Sequence, residues 1–233
     1  MFSLKEVVQS IDHTLLKPDS THHDFLHLCC EAKELGVKAV CVLPYVVHFC
    51  VQQLQDSSVV VATVIGFPLG ANSSGIKALE AQRAFTDGAT EVDMVLNIGA
   101  LKDRRISEVF TEIEEVVKVA QTFSGKLVKV IIETGLLTAE EKRIACELAV
   151  KAGANFVKTS TGFNSGGATV DDVRLMAEAV REKAKIKASG GIKTWAQAEK
   201  LLLAGASRLG TSSGKNIITE YIEQYQQDDM WYN

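Results

Sequence analysis

Short apolar runs alternate with longer amphipathic ones from one end of the chain to the other. The short runs fall at 11–16 (IDHTLL), 37–42 (VKAVCV), 59–66 (VVVATVIG), 91–96 (EVDMVL), 126–134 (KLVKVIIET), 155–160 (NFVKTS), 184–189 (AKIKAS) and 207–212 (SRLGTS). Most are rich in β-branched residues and too short for buried helices, which predicts strands covered on both faces. Between them lie helical patterns. In 107–123, Val109, Ile113, Val116, Val117 and Ala120 form one apolar stripe with a 3.6-residue period, and the acidic residues are expected outside. Thr138 with Glu141 three residues on is a capping-box signature, and Gly153 stands where a left-handed residue should end that helix.

One unit recurs: a helix, then Ala-Gly or Asp-Gly, then a strand. It is seen in AFTDGATEVDMV, AVKAGANFVKTS and LLLAGASRLGTS, and Gly36 plays the same part in KELGVKAVCV. Eight strands each followed by a helix, in 233 residues, predict an α/β fold, a (β/α)8 TIM barrel, as one domain over 1–233. The rival is a doubly wound open sheet. A dinucleotide-binding member would place GxGxxG after its first strand, and KPDSTHHD stands there instead. The three prolines are scattered, and no Ser/Gly-rich or charged tract marks a domain linker.

Composition narrows the partners. With 46% hydrophobic and 23% charged residues the chain is an ordinary globular one, and a net charge of −4 gives no general attraction to nucleic acid or an anionic membrane. No run approaches the ~18 apolar residues of a membrane span, and the N-terminus lacks a secretory apolar region. A cytoplasmic protein is expected. Cysteines 29, 30, 41, 50 and 146 form no CxxC pair, so reduced thiols are expected rather than a disulfide framework or a metal site.

In such a barrel the active site lies at the C-terminal ends of the strands. Those ends carry Asp12, Asp93, Lys129 and Glu133, Lys158, and Lys187. Alternation puts Glu91, Asp93 and Val95 on one face, and Phe156, Lys158 and Ser160 on one face. A single lysine at a strand end is most simply a charge reaching solvent. Asp93, Lys158 and Lys187 on three different strands, each in an otherwise apolar run, favour a shared interior. There, one ammonium near another loses its proton more easily, and the free amine can attack a carbonyl carbon to give a Schiff base. A nearby carboxylate can move protons. Glycine turns follow strands 3, 6, 7 and 8 (GFPLG, STGF, SGGIK, GTSSG), and the last two suit a phosphate held by backbone N–H groups.

Taken in order, IDHTLLKP, VCVLP, VATVIGFPLG, EVDMVLNIGAL, KVIIETGLL, VKTSTGF, KASGGIKT and GTSSG resemble the deoxyribose-phosphate aldolases, class I enzymes, over nearly the whole chain. The resemblance implies a lyase that needs neither cofactor nor metal and reversibly cleaves 2-deoxy-D-ribose 5-phosphate into D-glyceraldehyde 3-phosphate and acetaldehyde. It implies Lys158 as the Schiff-base lysine, Lys187 as its tuning partner, Asp93 as acid and base, and Asp12 as network support. Phosphate contacts are implied at Gly162, Gly190, Gly191, Ser212 and Ser213, and a terminal tyrosine, Tyr232, is the counterpart of a proton shuttle in some members. Phe163 stands where some members have a phosphate-binding lysine. Cys41 matches a thiol near the family's active site but reads more simply as a small buried hydrophobe. Other phosphate-binding barrels, of transaldolase or isomerase type, and a silent sugar-phosphate-binding protein are the competing readings. The expected partners are a sugar phosphate and aldehydes. VVHFCVQQLQ reads either as half of a homodimer interface or as a packed helix.

Overall fold

The computed structural model describes residues 2–164 and 166–229. A capping box between Ser3 and Glu6 starts α1 (Leu4–Gln9), which leads directly into β1 (Ile11–Leu15). The chain then alternates through α2 (His22–Leu35), β2 (Ala39–Val42), α3 (Val47–Leu54), β3 (Val60–Ile65), α4 (Ser74–Thr86) and β4 (Glu91–Val95). Two helices follow, α5 (Ile98–Lys102) and α6 (Ile106–Gln121), before β5 (Leu127–Ile131), α7 (Ala139–Lys151) and β6 (Phe156–Lys158). It finishes with α8 (Val170–Val180), β7 (Lys185–Ser189), α9 (Trp195–Leu203), β8 (Ala206–Thr211) and α10 (Gly214–Asp229).

All neighbouring strands pair in parallel, and β8 returns to β1 through Ile11↔Leu209 and Asp12↔Gly210, closing the barrel. The (β/α)8 TIM barrel expected from the alternation is therefore the fold. Two helices were absent from the sequence pattern. α1 is short, and α5 begins because the Asn97 side chain accepts from Ala100 N–H at 3.0 Å, a cap followed by too few residues to show a period.

Two apolar regions separate on the two faces of the sheet. The large one lies between strands and helices and takes in Val40, Val92, Val130, Val157, Ile186 and Leu209 from the strands. α6 contributes Val109, Ile113, Val116, Val117 and Ala120 to it, each large aliphatic side chain adding about 1.5–3 kcal/mol. One expectation fails here. Glu112 is also buried on this face rather than outside, because the buried Lys77 of α4 donates to it at 2.8 Å and to the Val95 carbonyl at 2.9 Å. Asn97 N–H fills the other oxygen. The second region is small and lies inside the barrel: Leu16, Cys41, Ala62 and Val64. Much of the remaining interior is charged.

Candidate active site

β4 alternates a helix-facing Val92 and Met94 with an inward Glu91 and Asp93, and β5 does the same around Lys129. β6 sends Phe156 and Lys158 inward, β7 sends Lys187, and β8 sends Arg208, which stacks over the Phe156 ring at 5.3 Å. Register then fixes the meeting points. Asp93 pairs with Lys129 across β4–β5, and Lys158 pairs with Lys187 across β6–β7.

The side chains converge on the two aspartates. Lys158 Nζ donates to Asp93 Oδ2 at 2.8 Å, and Lys187 Nζ donates to the same oxygen at 2.7 Å. Lys129 holds the other oxygen, Oδ1, at 2.6 Å and also meets Glu91 at 2.7 Å. Lys187 bonds Asp12 as well, and Arg208 spans Asp12 at 2.6 Å and Glu91 at 3.0 Å. Among the described residues, the interior thus sets three carboxylates (Asp12, Glu91, Asp93) against four cations (Lys129, Lys158, Lys187, Arg208). Fully ionised, it carries one surplus positive charge in a space that disfavours net charge.

Which cation yields its proton follows from the surroundings. Burial lowers the pKa of Lys158, and Asp93 does not outweigh that burial together with the nearby Lys187 ammonium. Burial also acts on Lys187, yet Asp12 and Asp93 together raise it. Lys129 and Arg208 are likewise buried but held up by their carboxylates. Asp93 resists burial because Lys129, Lys158 and Lys187 surround it, and its carboxyl lies well below the ordinary range. Lys158 is the one lysine of this group whose shift runs towards the free amine. Accessibility selects the same residue: Lys129 and Lys187 are fully enclosed, whereas Lys158, 3% exposed, lines a cleft of about 300 Å³ at the C-terminal mouth.

That cleft is walled by Gly162, Phe163, Gly190, Gly191, Thr211 and Ser212, the turns after β6, β7 and β8. Gly190 needs its φ of +92°, and a Cβ there would sit 3.0 Å from Gly167 Cα and 3.7 Å from Gly162 Cα. Four of the five residues expected to hold phosphate therefore share the cleft. Ser213 does not line it; its N–H is already donated to Thr211 Oγ1 at 2.9 Å. Phe163 is half exposed at the rim and meets Phe67 edge-on with ring centroids 5.2 Å apart. Lys17 and Lys193, which the sequence reading passed over, line the same cleft from beside their turns. Cys41 is buried in the inner apolar region, where burial raises its pKa and keeps the thiol protonated. Tyr232 lies outside the described residues. A larger cleft of about 510 Å³ adjoins this one through Thr14, Leu15, Lys17 and Ser212, but none of the interior charges line it.

Sequence reasoning missed Glu91 and Arg208 as members of the cluster, and placed Lys129 at the active-site end of its strand without a role in it. Glu91 had the signal, since it shares a face with Asp93. Arg208 showed only as one polar residue in SRLGTS.

A family model described as DeoC/LacD family aldolase matches residues 6–220. A protein of Carboxydothermus hydrogenoformans named deoxyribose-phosphate aldolase is 59% identical over 222 residues, covering 94% of this chain and 96% of its own. One of the same name from Thermococcus kodakarensis is 55% identical over 216 residues, covering 92% and 96%. The structure of the tetrameric deoxyribose phosphate aldolase from Aeropyrum pernix superposes with a TM-score of 0.89 at 31% identity, over 95% of this chain and 93% of that one.

Proposed function

Since the chain belongs to the DeoC/LacD family of aldolases, which makes it a carbon–carbon lyase, we propose that it reversibly cleaves 2-deoxy-D-ribose 5-phosphate through a Schiff base on Lys158. The observation that carries this reading is the contrast among the interior lysines. Lys158 alone combines a lowered pKa with access to the cleft, while Lys187 stays charged on the same Asp93 oxygen.

In the cleavage direction the free amine of Lys158 adds to the C1 aldehyde of the open sugar, and water leaves to give a protonated imine. This cation takes the place of the ammonium that Asp93 faced, so the same carboxylate stabilises it. The imine draws the electrons of the C2–C3 bond. As that bond breaks, the C3 hydroxyl loses its proton and becomes the aldehyde of glyceraldehyde 3-phosphate. The two-carbon enamine left on Lys158 is protonated at C2 and hydrolysed to acetaldehyde. Asp93, bonded to Lys187, relays these protons directly or through water. Asp12 fixes Lys187. The phosphate lies in the turns at Gly162, Gly190, Gly191 and Ser212, where backbone N–H groups suit an anion. Lys17 and Lys193 at the rim supply positive charge where Phe163 has none.

Borohydride reduction in the presence of acetaldehyde tests the reading. A reduced two-carbon adduct mapped to Lys158 is the expected result. An adduct on another lysine, or none, would refute it and favour another phosphate-binding barrel or a silent binding protein.

A further inference from the structure

We propose that Glu133 is a positioning residue, the anchor that holds the turn after β6 in its anion-binding shape; this rests on the reading that the cleft takes a phosphorylated sugar. Glu133 stands just beyond β5 with φ 54° and ψ 66°, a left-handed conformation that a residue other than glycine keeps only when its surroundings fix it. Its side chain is fixed. One buried oxygen, Oε2, accepts from Thr161 Oγ1 at 2.6 Å, from Thr161 N–H at 3.2 Å and from Asn164 Nδ2 at 3.1 Å. All three donors belong to the segment that follows Lys158 and contains Gly162. Thr161 Oγ1 in turn accepts from Phe163 N–H at 3.1 Å, so one carboxylate oxygen organises 161–164.

The far end of the same segment is tied to the next turn. Ala168 N–H donates to the Gly190 carbonyl at 3.1 Å, and Gly167 approaches so closely that a Cβ there would lie 2.6 Å from that carbonyl oxygen. Gly162 and Gly190 are thereby held against one another in the cleft wall, a Cβ on Gly190 reaching within 3.7 Å of Gly162 Cα. A carboxylate is in itself a poor neighbour for a phosphate. Its use here is as a strong acceptor whose charge is spread over three donors, and hydrogen bonds of that kind are hard to replace with water once buried.

The reading is tested by comparing kcat/KM for 2-deoxyribose 5-phosphate with that for unphosphorylated 2-deoxyribose. Glu133→Ala is expected to lower the ratio of the two by about tenfold or more, through KM of the phosphorylated sugar, and Glu133→Gln, which keeps an acceptor, to recover it to within about threefold. Thr161→Val offers a second route that leaves Glu133 in place, with a ratio lowered by about threefold or more. An unchanged ratio in Glu133→Ala, or in Thr161→Val should the first variant not fold, overturns the proposal. So does an equal loss on both sugars. If the unmodified protein cleaves neither sugar and forms no adduct at Lys158, the functional reading falls first and takes this one with it.

Discussion

Lys158 and Lys187 are direct register partners on adjacent strands, and their ammonium groups end on one and the same oxygen of Asp93. Sharing an acceptor places like charges side by side. Only one is then supported by a second carboxylate, since Asp12 bonds Lys187 and not Lys158. The asymmetry between a permanently charged lysine and a releasable one follows from that single extra partner.

Lys158→Met should remove at least about a thousandfold of turnover, as loss of a covalent nucleophile does. It should also leave the thermal midpoint unchanged or slightly higher, because Lys158 is the interior cation whose burial its carboxylate partner does not offset. Steady-state kinetics beside a melting curve measures both. A midpoint lowered by on the order of 10 °C would show that the surplus charge is not where the interior is strained.

Lys187→Met addresses the coupling. The free-amine fraction of Lys158 grows as pH rises through its lowered pKa, so kcat/KM should climb with pH on its acid limb. Removing the neighbouring positive charge raises that pKa towards its ordinary 10.5. The limb should therefore move to higher pH, and a limb that stays in place would count against the pairing.

Lys129 touches no part of the cleft, so its replacement is a stability experiment. Lys129→Met strips a partner from both Asp93 and Glu91, which should cost about 3 kcal/mol and lower the midpoint by on the order of 10 °C. The folded pKa of Lys129 is raised above 10.5. Its contribution is thus present in full below that pH and is lost only as pH climbs through the folded value. Denaturant titrations of parent and variant at neutral and mildly alkaline pH should accordingly show the same difference.

Exhaustive dialysis against EDTA is expected to leave turnover within about twofold, since the protonated imine supplies the electrophile. Activity that disappears and returns with an added divalent cation would replace the lysine mechanism with metal-assisted carbonyl chemistry.

Gly190→Ala tests the phosphate turn from its other side. The required φ of +92° and the 3.0 Å approach to Gly167 Cα make any side chain costly, by about 1–3 kcal/mol. KM for the phosphorylated sugar should rise with little change in acetaldehyde trapping at Lys158. Unaltered KM in a folded variant would place the phosphate elsewhere.

Much of this was legible in one dimension. Strand-length apolar runs, glycines at helix ends and the recurring unit determined the alternation of buried parallel strands and covering helices, because burial on both faces demands it. Polar residues set at inward positions of β4, β6 and β7 determined that Asp93, Lys158 and Lys187 would meet if the sheet closed, while Asp12 was assigned to them through the family resemblance. Closure itself was decided only in three dimensions. Whether Arg208 and Lys129 join the cluster, whether Glu112 turns to a buried Lys77, and whether Ser213 keeps a free N–H all depend on register between segments far apart in sequence. The pattern of residues names which groups are charged. Only the folded barrel counts them against one another, and that count, one cation more than the carboxylates can balance, leaves Lys158 able to surrender its proton.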